Sequence, residues 1–275
     1  MVAADAPTPA PASVGFPTLR EVEATRSLSW LRRGLADMRA HTLASCFYGL
    51  CFALMGVILL VVFRMAVNYT STLAMGFMLV GPILAIGLYD LSRQRERGTA
   101  PSLAHSLVAW RDNPGGIGIY VLILTVIFLV WARASLVTFA LFESRGMPTW
   151  EIFFIELFAL RNIGFVTAFF GVGVFFAGLV FAFSALAIPF LLDRRADAVT
   201  AAVVSAGAIV KNPVAMLIWA LLIVFLIGIG LATAYVGLIF TAPLIGHATW
   251  HAYRDLVGVA SERTAENLST VSPAS

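Results

Sequence analysis

The sequence predicts an all-α membrane protein with six transmembrane helices. They form three helical-hairpin repeats, each preceded by a cytoplasmic amphipathic helix. Three observations carry that reading. Of 275 residues, 60% are hydrophobic and 12% are charged, about half the charged share of a soluble domain. The apolar residues lie in long runs, and a helix closes its own backbone hydrogen bonds in lipid. The ~10-residue alternating segments of an outer-membrane barrel are not seen. Lastly, one pattern recurs: a mildly amphipathic piece, a polar corner, then two apolar runs.

The last third, Ala198 to Asp255, shows the pattern most clearly. Small residues run to Lys211-Asn212-Pro213. About forty apolar residues follow, enough for two crossings at ~20 residues each. A polar, aromatic exit, His247 to Tyr253, closes the unit. The same corner recurs at Arg111-Asp112-Asn113-Pro114 and, more weakly, at Arg39-Ala40-His41-Thr42.

In chain order, residues 1–17 are rich in Ala and Pro and lack the basic start and apolar core of a signal peptide. They are expected to be a disordered tail, as are residues 258–275, on either side of a single transmembrane domain at 18–257. From Arg20 to His41, Leu28, Leu31, Leu35 and Met38 recur at helical spacing among arginines, which predicts a surface helix. The spans are expected at 44–64, 71–91, 115–138, 163–191, 213–230 and 231–251. The second holds Gly81-Pro82, a point for a kink or a close neighbour. Ser102–Trp110 and Asp197–Val210 are the second and third surface pieces. Asn113-Pro114 and Asn212-Pro213 are helix junctions. Proline disfavours helical geometry in the residue before it and suits the first turn of the next helix, so each junction should be bent. The fourth run is longer than a crossing needs, which suggests tilt. Each second span carries a proline, Pro82, Pro189 or Pro243, with a polar residue eight positions on: Asp90, Asp197 and His251.

Charge gives the orientation. Fourteen of the eighteen Lys and Arg residues fall in the N-terminal segment, the two even-to-odd loops and the C-terminal segment. Arg64, Arg133, Arg145 and Arg161 fall opposite. Positive loops stay inside, so both termini are expected in the cytoplasm of a bacterial inner-membrane protein. The net charge of +3 reflects these loops and is no sign of nucleic-acid binding. Cys46 and Cys51, five residues apart in the first run, point in different directions and read as packing residues.

The segments FPTLREVEATRSLSWLRRGLADMR, WRDNPG, LLDRRADAVTAA and PLIGHATWHAYRDLV resemble an uncharacterised bacterial integral-membrane family, domain of unknown function 2189. The resemblance runs from about Pro17 to Val257 and implies a multi-span inner-membrane protein. It brings no established catalytic residues. Some family members carry an automatic label as putative cytochrome c oxidase subunit I. That core needs six histidine ligands for its haems and copper. This chain has four histidines in all: His41, His105, His247 and His251.

Two sets of residues stand out as candidate sites. His247 and His251 share a helical face at i and i+4, a spacing that suits a metal or one haem ligand. No nearby carboxylate or thiolate completes such a site in sequence, and Trp250 and Tyr253 mark an interfacial belt, so a structural role is favoured and no cofactor is expected. Arg133 and Glu156 are charges late in apolar runs, where pairing or a water-filled cavity is usual. They form a candidate polar site. The expected role is a non-catalytic scaffold, assembly or accessory component of an envelope or respiratory complex. The partners would be membrane lipids and either a membrane-protein complex or a homo-oligomer. A small-solute or lipid transporter or channel is the alternative, and a haem- or metal-binding redox protein a second.

Overall fold

The computed structural model describes residues 17–65, 70–142 and 163–258, and within these the chain is helical. Residues 1–16 and 259–275, which carry most of the two expected tails, lie outside the described residues. So does the connection at 143–162, with Glu156. The helices are α1 (Arg26–Ala40), α2 (Thr42–Met65), α3 (Thr70–Glu96), α4 (Leu103–Val108) with a 3-10 turn at Ala109–Asp112, α5 (Pro114–Phe142), α6 (Ile163–Ser184), α7 (Ala187–Arg194), α8 (Ala198–Lys211), α9 (Pro213–Ala232) and α10 (Leu238–Leu256).

Among the described residues, four stretches are long and apolar enough to cross a bilayer: Thr42–Met65, Pro114–Thr138, Ile163–Arg194 and Pro213–Ala232. Only 17–33% of the most apolar window of each is buried inside the protein. Their outer faces carry exposed leucines, valines and phenylalanines, such as Leu122, Phe175 and Phe225. Water would not tolerate that surface, and lipid tails match it.

The hub is α10, which packs against α1, α2, α3, α7 and α9. Close approach needs small residues. A Cβ added to Gly34 on α1 would lie 2.7 Å from the Ala248 amide nitrogen, and one on Gly49 of α2 would run into the Ile239 carbonyl. This explains which face of α1 is buried. It is Ser27, Trp30, Gly34 and Asp37, while Leu28 is exposed and Leu31, Leu35 and Met38 are half-buried. The leucine stripe that marks the helix as amphipathic is therefore not its buried face. In contact with lipid, leucine gains little by burial, whereas small and polar side chains gain close packing and hydrogen bonds.

The three surface pieces each lead into a long helix through a similar corner. The backbone leaves helical geometry at His41 (φ −127, ψ 42), Asn113 (φ −149, ψ 66) and Asn212 (φ −129, ψ 55). New helices then begin at Thr42, Pro114 and Pro213. Each of these short helices packs on a helix that precedes it around the bundle, α1 on the last. The closing ends α3, α7 and α10 also touch one another. The packing is thus cyclic: α4 leans on α3, α8 on α6 and α7, and α1 on α10.

Four details depart from the expected boundaries. The surface helix begins at Arg26, not Arg20. Residues 18–20 instead run beside the end of α10, with Arg20 N donating to Leu256 O at 2.9 Å and Gly258 N to Thr18 O at 2.8 Å. The fourth run is broken between α6 and α7. Pro189 sits in the first turn of α7, where its missing N–H costs nothing. The break is closed by Ser205 of α8, which accepts from Leu186 N and donates to Ala182 O. The last two runs are separated by a turn, with Ala234 and Tyr235 at positive φ, so the final helix starts at Leu238. Finally, Asp197 is not an inner-helix residue like Asp90 and His251. It caps α8, accepting from the amides of Val199 and Thr200.

Candidate functional site

The polar side chains that the sequence scatters over the chain meet at one end of the bundle, where α1, α3, α4, α7 and α10 come together. Asp37 is the centre of one cluster and is 4% exposed. Its Oδ2 accepts from the Ser92 hydroxyl at 2.7 Å and from His251 Nε2 at 2.8 Å, and its Oδ1 from Arg95 at 2.6 Å. One carboxylate thus ties α1 to both α3 and α10. Behind it lies His247, fully buried, between Ser92 and Ser45. The Ser92 proton is spent on Asp37, so Ser92 Oγ accepts from His247. That assigns the proton to Nδ1 and leaves Nε2 to accept from the Ser45 hydroxyl. Burial pushes the Asp37 carboxyl up, but the hydrogen bonds from His251 and Ser92 outweigh it and hold the group below its ordinary value.

Asp90, also fully buried, anchors a second cluster. Its carboxylate accepts from Arg93 Nε at 2.9 Å, from Gln94 at 2.6 Å and from His105 Nδ1 at 2.8 Å. Arg93 continues to Asp112 and to the Leu192 carbonyl, linking α3, the 3-10 turn and α7. Two further clusters lie on α10. Asp255 accepts from Arg26, Arg33 and the Trp30 indole. Burial raises that carboxyl, but its arginine and tryptophan donors lower it below the ordinary range. Glu96 and Asp193 share Arg254, with Trp250 donating to Glu96 and Tyr253 to Asp193.

The corners are held by side chains. Asn113 donates to the carbonyls of Leu191 and Ala196 and accepts from Gly116 N. Asn212 accepts from Val22 N and donates to the carbonyls of Arg20 and Ala208. Each asparagine therefore reaches the connection that enters the next surface helix around the ring. His41 occupies the third corner, and both its ring nitrogens are shielded from solvent with no hydrogen-bond partner. Burial, together with the Arg95 charge, pushes the imidazole below its ordinary value, and Asp37 opposes them only in part.

The residues singled out in sequence fall as follows. His247 and His251 do meet in one network, joined through Ser92 and Asp37. The nitrogens of His247 are engaged by serines, and among the described residues no group of three or more His, Cys, Asp or Glu is arranged to hold a metal. Arg133 is exposed on α5, and its suggested partner Glu156 lies outside the described residues. Asn113, Pro114, Asn212 and Pro213 all stand at helix breaks. Sequence reasoning missed Asp37, Ser45, Ser92, Arg95, Glu96 and Asp255. The available signal was Ser27, Trp30, Gly34 and Asp37 at spacing 3, 4, 3, a helical face whose members are not leucine.

A helical bundle whose apolar flanks suit only lipid, with its ionic groups gathered at one end, defines an integral membrane protein. Residues 69–193 match the model of the family described as predicted integral membrane protein, domain of unknown function 2189, the family whose segments this sequence resembles. No curated protein and no solved structure matches the chain.

Proposed function

We propose that the protein is a non-catalytic scaffold or accessory component of a membrane complex, with six spans in three hairpin modules. The observation that carries this is the closure of the ionic clusters on one another at one end of the bundle. Asp37 and Asp255 are each engaged by donors from neighbouring helices, and Asp90 by Arg93 and Gln94 of its own helix and His105 of α4, an arrangement that fixes helix positions. The cyclic packing of α1, α4 and α8 favours three modules around one axis. Helix α3 is 27 residues long, about 40 Å at 1.5 Å per residue, and with α10 it makes up the set of six. The pairing of residues 18–20 with 256–258 supports an even number of crossings. The basic split favours a bacterial inner membrane with both termini and the ionic collar in the cytoplasm.

The test uses membranes solubilised in mild detergent. The scaffold reading expects the protein to migrate on a native gel in an assembly larger than its own 29.6 kDa, and reconstituted vesicles to show no solute flux above empty ones. A monomer that supports saturable flux would replace this reading with the transporter.

A further inference from the structure

An open pocket of about 350 Å³ lies between α1, α3 and α10. It is lined by Arg33, Asp37, Ser92, Arg95, Glu96, His251 and Arg254. That volume is within the range of small-molecule sites, ~300–1,000 Å³. Its hydrogen-bonding capacity is lopsided. The acceptors are already engaged: both Asp37 oxygens by Arg95, Ser92 and His251, and both Glu96 oxygens by Arg254 and Trp250. The donors are not used up. A guanidinium has five N–H groups. Arg95 spends one on Asp37, and Arg33 uses two on Asp255. Arg254 directs its three nitrogens at Glu96 and Asp193, leaving the second N–H of each terminal nitrogen. All three arginines remain partly exposed, at 41%, 34% and 33% of their side-chain surface. Three partly exposed forks thus converge on a pocket whose own acceptors are taken. Such a pocket calls for a compact ligand rich in acceptor oxygens, and planar guanidinium groups match phosphate oxygens in paired hydrogen bonds.

We propose that this pocket binds a phosphate group, with Arg33, Arg95 and Arg254 as its ligands. The two sources are a free phosphate compound and the headgroup of an anionic lipid. The proposal does not depend on the scaffold reading, because it concerns a ligand and not an assembly.

The test titrates the purified full chain in neutral detergent. The probes are inorganic phosphate, a short-chain phosphatidic acid and, as control, the matching phosphatidylcholine. Binding is read by native mass spectrometry and by tryptophan fluorescence, since Trp250 donates to the pocket residue Glu96. The expected result is one molecule of inorganic phosphate or phosphatidic acid bound per chain, no uptake of phosphatidylcholine, whose phosphodiester is offset by its choline cation, and affinity that falls as salt rises. Arg95→Gln and Arg254→Gln should each weaken binding at least tenfold, and Arg95→Lys less, because lysine keeps the charge without the fork. Equal binding of inorganic phosphate and phosphatidic acid assigns a free phosphate. Binding of phosphatidic acid alone assigns a lipid headgroup. Failure of the wild-type chain to bind either phosphate probe overturns the proposal, as do equal uptake of phosphatidylcholine and unchanged affinity in folded Arg95→Gln and Arg254→Gln. The wild-type titration decides the matter even where a variant does not fold.

Discussion

Replacing Asp37 tests the idea that one buried carboxylate holds three helices together. Asp37→Ala removes three hydrogen bonds: from Ser92, from His251 and from Arg95. The Arg95 pair is the weakest, because Arg95 is 41% exposed and can turn to water, so it contributes ~1 kcal/mol at most. The other two donors are more enclosed. Hydrogen bonds to a charged group contribute ~1.5–3 kcal/mol each, so the loss from Ser92 and His251 comes to about 3–6 kcal/mol. Asp37→Asn is milder. With its amide oxygen in the place of Oδ2 it still accepts from Ser92 and His251, and it places an NH2 group beside Arg95, for a cost of ~1–2 kcal/mol. The assay is unfolding by SDS in mixed micelles, followed by helix content. The expected order is wild type, then Asn, then Ala. A cost below ~1 kcal/mol for Asp37→Ala, or equal costs for Asn and Ala, would show that the carboxylate is not the tie described here.

The remaining predictions concern pH and the corners. Asp37 and Asp255 both titrate below their unfolded value, so their contribution is complete above about pH 4 and is lost as pH falls through their folded values. His41 is also depressed. For a histidine this means that the unfolded ring takes its proton first, so stability declines as pH falls from about 6.5 until the folded ring protonates too. Stability measured from about pH 8 to 3 should therefore fall in two steps, and His41→Asn should make the upper one smaller while leaving the lower one in place. A single step in the wild type would contradict this. Asn113→Ala and Asn212→Ala should each cost ~1–3 kcal/mol, because each strands buried backbone groups. His41→Asn should be neutral or stabilising in the same SDS titration, since it removes two shielded nitrogens without partners. A cost at His41 equal to that at Asn212 would show that the corners are not equivalent.

The sequence makes the long helices and their corners legible for a direct reason. Apolar runs have only one solution in lipid, and Asn-Pro can end one helix and start another. The last third, Ala198 to Asp255, where the pattern is clearest, contains the hub helix α10. The buried face of α1 is not legible in the same way, because leucine periodicity marks a core in water and a lipid-facing stripe in a membrane. The break before α7 depends on Ser205, which arrives from the next surface helix. The histidine pair could be seen from its spacing, but its partners Asp37, Ser45 and Ser92 lie more than 150 residues earlier in the chain. Local pattern gives no hint of partners so distant. The charge at Arg133 was equally visible, and the described residues give it an exposed position on α5.

The central claim is a bundle whose ionic collar and two ends share one face of the membrane, with the α9–α10 turn on the other. The most direct test starts from the protein carrying Cys46→Ala and Cys51→Ala. One cysteine is then introduced by Val236→Cys, in the exposed turn between α9 and α10. A separate variant carries Thr99→Cys, in the exposed connection between α3 and α4. A membrane-impermeant maleimide is applied to cells with a permeabilised outer membrane and to inside-out vesicles. Val236→Cys is expected to be labelled in the cells and Thr99→Cys only in the vesicles. Labelling of both from the same side would contradict it.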